Sequence, residues 1–157
     1  MKKLFLSRFI IGGVLILCLG LLAGCENSMY KEVDFGGTFS SPGINIEPLL
    51  IKEYDELVSL FNEYEIEWEN GLAIWERYDK GYFKNKALII YVFGVSGDVE
   101  PLITIDGVQV DDNIIKVLLV QHGTTTGLAY FQKNLVIEVT KSFIGKTTSV
   151  EVDIKVK

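Results

Sequence analysis

Cysteine and histidine are almost missing from this chain: Cys18 and Cys25 are its only thiols and His122 its only imidazole. A two-histidine zinc site is therefore excluded, and so is a Cys-His nucleophile pair wherever one thiol is removed and the other consumed. A Ser-His-Asp arrangement exists only if it passes through His122. Basic side chains are also in deficit, 15 against 21 acidic, for a formal charge of −6. A surface of that sign repels phosphate backbones and anionic headgroups, which removes nucleic acid as a partner and leaves basic proteins and cations admissible. No apolar run reaches the ~20 residues that a spanning helix needs. No repeat period is visible either. What remains is one domain of ordinary size, large enough to bury a core without disulfides or metal.

The longest apolar stretch, residues 9–24, follows Lys2, Lys3 and Arg8 and ends in small residues. A basic start, a short apolar centre and a small-residue end have the layout of a secretory signal. Leu22-Ala23-Gly24-Cys25 at its close resembles the lipobox of bacterial lipoproteins. That resemblance implies a diacylglyceryl group (the palmitate class of modification) on the Cys25 sulfur and cleavage just before it. It also implies a cell-envelope location, lipid-anchored on the extracytoplasmic face of the cell membrane. Two chains burying methylenes at about 0.8 kcal/mol each hold far better than a single myristoyl group. Cys18 then leaves with the signal and Cys25 is consumed by the lipid, so no disulfide is available. The exported part is more acidic than the whole, since residues 1–24 contain basic groups and no acidic one.

Residues 26–43 are polar and rich in glycine and serine, with no sustained apolar period, which predicts a flexible tether. The expected organisation is a signal peptide over 1–24, a lipidated Cys25 and tether over 25–43, and a single extracytoplasmic domain over 44–157. Leu50, Tyr54, Leu57, Val58 and Phe61 fall on one helical stripe, with Glu53, Asp55 and Glu56 at the positive end. This predicts a helix over 52–63, although no Ser, Thr or Asn stands at its expected cap. From Glu63 to Glu69 acidic and apolar residues alternate without exception, a pattern that favours a strand, with helix continuation or a loop as the alternatives. Trp75, Tyr78, Tyr82 and Phe83 have the spacing of a second short helical piece.

The second half reads as β. Residues 87–93 are apolar on both alternating faces, and so are residues 114–120 apart from Lys116, which predicts two interior strands covered on each side. A strand over 102–110 lies between them, with Asp111-Asp112-Asn113 as a hairpin turn and Asp106-Gly107 as a turn or bulge. Strands over 135–140 and 150–156 complete the set. The expected fold is α+β and mainly antiparallel, a small sheet or sandwich with an N-terminal helix packed on it.

Residues 78–91, in which a Tyr-Asp pair and an aromatic pair precede a Lys-containing link into an apolar strand, resemble a segment of uncharacterised small lipoproteins. The succession of strand, Gly-rich loop, strand, turn, strand, Thr-rich loop and strand over about residues 51–141 also resembles the C-terminal domain of protease-complex (PrcB-like) proteins. That domain tends to carry an aromatic residue in the loop after its first strand, and residues 94–101 have none. The resemblance implies a sandwich-like fold and association with proteases. It supplies no catalytic residues.

Four features are candidate contact sites. Gly94 and Gly97 lie in Gly94-Val95-Ser96-Gly97, read as a strand-connecting loop; it lacks the Gly-Lys-Ser/Thr ending of a phosphate cradle. His122, Thr124 and Thr125 form a loop with the only imidazole and several hydroxyls, flanked by Tyr130-Phe131, which are expected to be buried beneath it. Glu63, Glu65, Glu67 and Glu69 offer an acidic ladder to a basic partner or loosely held cations. Asp98, Glu100, Asp106, Asp111 and Asp112 gather around two turns but lack the spacing of a calcium loop. No metal, cofactor or catalytic residue is assigned. The expected function is a binding or interaction module that engages an envelope protein, with no enzymatic activity. The alternative is a regulator or inhibitor of a surface protease. A carboxylate-dependent hydrolase of cell-wall sugars is a third reading, and it requires two carboxylates facing each other across a cleft at ~5 to 9 Å.

Overall fold

The structure is a computed structural model and describes residues 29–34, 36–40, 43–68, 77–123 and 126–157. The signal segment, Cys25, Glu69, Trp75, Thr124 and Thr125 lie outside the described residues. Among the described residues the order is β1 (Tyr30–Glu32), β2 (Gly37–Phe39), β3 (Ile46–Ile51), α1 (Tyr54–Glu63) and β4 (Ile66–Trp68), followed by a 3-10 turn (Tyr82–Lys84). Then come β5 (Lys86–Gly97), β6 (Leu102–Asp111), β7 (Ile114–His122), β8 (Ala129–Thr140), α2 (Lys141–Ile144) and β9 (Ser149–Val156). β5 is the organising strand. It lies inside a four-stranded antiparallel sheet of order β1-β8-β5-β3, and a three-stranded sheet, β6-β7-β9, packs against that sheet.

Because side chains alternate along a strand, the apolar run in β5 feeds two cores. Leu88, Ile90 and Val92 join Phe39, Ile46, Leu57, Leu60, Tyr78 and Phe83 on the helix side. Ala87, Ile89, Phe93 and Val95 join Ile115, Val117, Leu119, Leu135, Ile137 and Val139 between the two sheets. The two-faced reading of this strand is therefore what the fold uses. β7 is central in its own sheet, but only one of its faces is packed throughout: Ile115, Val117 and Leu119 are buried, whereas Ile114, Lys116 and Leu118 are half-buried on the outside. That outer face is only partly packed, with Val120 buried near its end, so full coverage of β7 is corrected to partial coverage on that side.

The helix starts at Tyr54 without a hydroxyl or amide cap, because a carboxylate does the work. Glu56 accepts hydrogen bonds from the backbone N–H groups of Lys52 at 2.7 Å and Glu53 at 3.1 Å, satisfying donors that the helix leaves free. Tyr64 turns extended (φ −119°, ψ 134°), and the alternating segment beyond it becomes β4, paired antiparallel with β2 through Phe39↔Ile66 and Thr38↔Glu67. The strand reading of the acidic ladder therefore holds over Ile66–Trp68. The β6–β7 hairpin closes on Asp112 and Asn113, with Asp112 at φ 52°, and the pairing shifts register between Ile105 and Gly107, making Asp106 a bulge.

Two further expectations are overturned, on the tether and on the Gly94 to Gly97 loop. Residues 30–32 and 37–39 are strands and not tether: Tyr30 pairs with Val139, and Phe39 is 2 % exposed in the core. Segments of three residues carry no readable period, and the partner of β1 is more than a hundred residues away. The sheets are mainly antiparallel, as expected, with one exception: β9 runs parallel to β7. β8 belongs to the larger sheet, so the chain crosses through α2 and re-enters the smaller sheet beside β7 in the same direction. Gly94 to Gly97 form no loop; they are the last turn of pairing in β5, with Gly94 opposite Gln132 and Gly97 opposite Ala129.

Candidate binding groove

β5 outruns its neighbour. Its pairing with β3 ends at Ile46↔Val92, while its pairing with β8 continues to Gly97↔Ala129. Among the described residues, residues 93–97 thus have a strand on one side only. The chain leading into β3 passes through Gly43 at φ 76°, a left-handed conformation that glycine adopts without strain. β7 and β9 finish at the same end of the molecule, where Gln121 pairs with Val156. Between these strand ends and the bare flank of β5 lies an open groove of about 690 Å³, lined among others by Asn45, Tyr91, Ser96, Gln121, Tyr130 and Val156. None of its lining side chains is charged.

The rings in it are held by local geometry. Tyr91 and Phe93, two apart on one strand face, stack with centroids 4.4 Å apart and planes 13° apart. Burial, and after it the Glu47 carboxylate, push the Tyr91 hydroxyl above its ordinary range, so at neutral pH it is a protonated donor. Tyr130 is 52 % exposed and its ring lies on Gly94: a Cβ built there would stand 2.0 Å from the hydroxyl oxygen and 2.1 Å from two ring carbons. Glycine at 94 is what gives the tyrosine its seat.

Gln121 is the anomaly. It continues the inward parity of Ile115, Val117 and Leu119, so strand alternation carries an amide into the space between the sheets at the mouth of the groove. The residue is 4 % exposed and its Nε2 has no hydrogen-bond partner. A buried donor left unmade destabilises by about 1–3 kcal/mol, and such groups are rare in folded chains.

A second polar cluster lies at the other end of β5. The Tyr82 hydroxyl donates to Glu138 Oε2 at 3.0 Å, and Lys86 and Lys31 stand 2.8 and 3.5 Å from Glu138 Oε1. Burial alone pushes the Glu138 carboxyl up. Hydrogen bonds from Lys86 and Tyr82 and the charges of Lys86 and Lys31 outweigh it and hold the group below the ordinary value of 4.5. Burial, then the Glu138 charge, pushes the Tyr82 hydroxyl well up. The edge of Tyr82 meets buried Tyr78 at 4.9 Å, and Lys86 lies over the Tyr82 ring at 5.4 Å. Glu138, Lys86, Lys31 and Tyr82 are committed to one another, which makes this cluster a clamp between β1, β5, β8 and the 3-10 turn.

The candidate residues are dispersed. Gly94 lines the groove, and Gly97 is packed where the backbone of Gly127 crosses β5. His122 is exposed at the end of β7, its Nε2 3.1 Å from Thr104 Oγ1. Glu63 ends α1, exposed Glu65 lies in the link after it and exposed Glu67 in β4, so the ladder is split across different elements. Glu100 and Asp111 are paired with Lys133 and Lys116 at 2.5 and 2.6 Å, and no group of three metal-ligating side chains gathers among the described residues. Tyr130, expected beneath a loop, is half exposed in β8. Sequence reasoning missed Gln121, Tyr91 and Asn45. Gln121 had a signal, a polar residue on the apolar parity of a strand. Comparisons with protein families, curated proteins and solved structures return no match.

Proposed function

We propose that this chain is a lipid-anchored extracytoplasmic binding module whose ligand seats in the groove at the open end of the two sheets. The observation that carries the binding reading is the buried, unpartnered Gln121 amide at the mouth of an uncharged, aromatic-lined groove. A bound acceptor removes the penalty of that donor, so ligand binding and local stability are linked. The anchoring half is supported by Leu22-Ala23-Gly24-Cys25 behind a basic, apolar leader. Among the described residues no helix is long and apolar enough to cross a membrane. No carboxylate lines this groove, so it does not offer the facing pair that glycoside hydrolysis uses.

Two measurements test the proposal. Metabolic labelling with a palmitate analogue is expected to mark the wild type and not Cys25→Ala; label retained in the variant overturns the anchor. The purified chain is expected to bind members of arrayed peptide and neutral-glycan panels, with binding weakened in Tyr130→Ala and Gln121→Leu. Panels that bind nothing, or bind wild type and both variants alike, overturn the groove.

A further inference from the structure

The flank of β5 over residues 93–97 is the least protected edge among the long strands of the two larger sheets. Exposed edges normally carry lysine, proline, a bulge or a cover that keeps other strands away. The other long edges here follow that rule. β3 has Glu47, Pro48 and a register irregularity between Ile46 and Leu49. β6 has its bulge at Asp106, and β9 presents Glu151, Asp153 and Lys155. β8 beyond β1 has Lys133, and Gln132 Nε2 donates to the carbonyl of Phe39 at 3.0 Å. The flank of β5 reads Phe-Gly-Val-Ser-Gly, with no charge, no proline and no register shift against β8.

Backbone donors and acceptors at strand spacing are matched by one ligand chemistry, another extended main chain. We infer that residues 93–97 take up an extended peptide segment of a partner protein as an added strand, in line with β3 and beyond its end. This rests on the groove being the binding site. A five-residue segment spans about 17 Å. Side chains on one face of it enter the mouth beside Tyr91 and Gln121, whose free amide donates to an acceptor on the peptide; the other face meets the Tyr130 ring on its Gly94 seat. The segment is uncharged inside the groove, because no lining group is there to pair a buried charge. Outside the groove the net charge of −6 favours basic flanks.

The test uses the full chain in mild detergent and a fluorescein-labelled heptapeptide, Lys-Thr-Val-Thr-Val-Thr-Lys. Two derivatives of the peptide are N-methylated on alternate amides, one on each set. Saturable binding by fluorescence anisotropy is expected for the parent peptide. One methylated derivative is expected to bind at least about tenfold more weakly and the other like the parent, since alternate amides of a strand point to opposite sides. Ser96→Lys, a lysine placed on the exposed edge, and Gln121→Leu are each expected to weaken the parent peptide severalfold, with the thermal melt preserved in the first and preserved or raised in the second. Equal binding by all three peptides overturns strand addition, and so does no saturable binding up to about 1 mM. Dimerisation by light scattering that Ser96→Lys abolishes assigns the edge to a second copy and overturns the partner peptide. Binding of a neutral N-acetylglucosamine tetrasaccharide without peptide binding overturns this inference while leaving the groove as a binding site. Loss of every ligand overturns both.

Discussion

A methyl group on Gly127 would stand 1.9 Å from the carbonyl carbon of Gly97 and 2.1 Å from the amide nitrogen of Asp98. Backbone cannot swing aside as a side chain can, so Gly127→Ala is expected to destabilise by about 2–3 kcal/mol, read from urea melts. Gly94→Ala meets only the end of the Tyr130 side chain, which can rotate away. Its expected loss is about 1 kcal/mol or less, with the tyrosine displaced from the groove. A larger loss in Gly94→Ala than in Gly127→Ala would contradict this ordering. Gln121 makes the opposite forecast. Replacing its orphan amide with the similar volume of leucine is expected to raise stability by up to about 1 kcal/mol while weakening ligand capture. Stability and binding separate at that position because the buried donor serves the ligand and not the fold.

Among the elements, the clamp on Glu138 ties β1 to β8 and β5 and fixes the 3-10 turn. The carboxyl is 13 % exposed while Lys86 and Lys31 are 40 % and 56 % exposed, so solvent screens the ion pairs on their lysine side. Glu138→Gln is expected to cost about 1–2 kcal/mol at pH 7, less than a fully buried pair would. The folded-state pKa is depressed, so the stabilisation is fully present above the unfolded value, ordinarily 4.5. It is lost as pH falls through the lower folded value. Melts from pH 7 downward are expected to show wild type and Glu138→Gln converging below about pH 4. A gap that stays constant to pH 2 would rule out an ionised Glu138 as its source.

For the whole molecule, the boundary of the folding unit is the consequence with the widest reach. Residues 29–43 supply β1, β2 and the buried ring of Phe39, so a chain begun at residue 44 opens the helix-side core and uncovers the β8 edge. Loss of the Phe39 side chain alone is worth about 3–5 kcal/mol. A chain begun at residue 29 is expected to melt cooperatively, and one begun at residue 44 to lose near-ultraviolet circular dichroism or aggregate. Equal melting temperatures would return residues 29–43 to the role of a tether.

Local pattern by itself determined the strands and helix whose side chains obey one period, namely the two-faced apolar run of β5, the alternation of β9 and the stripe of α1, together with the turn within Asp111-Asp112-Asn113. Those features report on burial, and burial acts on each residue where it stands. Tertiary structure alone decided that three-residue segments near the N-terminus are strands, because their hydrogen bonds are made to partners far along the chain. It also decided that β9 enters parallel to β7, since direction depends on which sheet the preceding strand occupies. The groove is of the second kind. It exists because β5 runs past β3 and because Gln121 ends an inward row beside it, and the length of one strand relative to another is written in no local pattern.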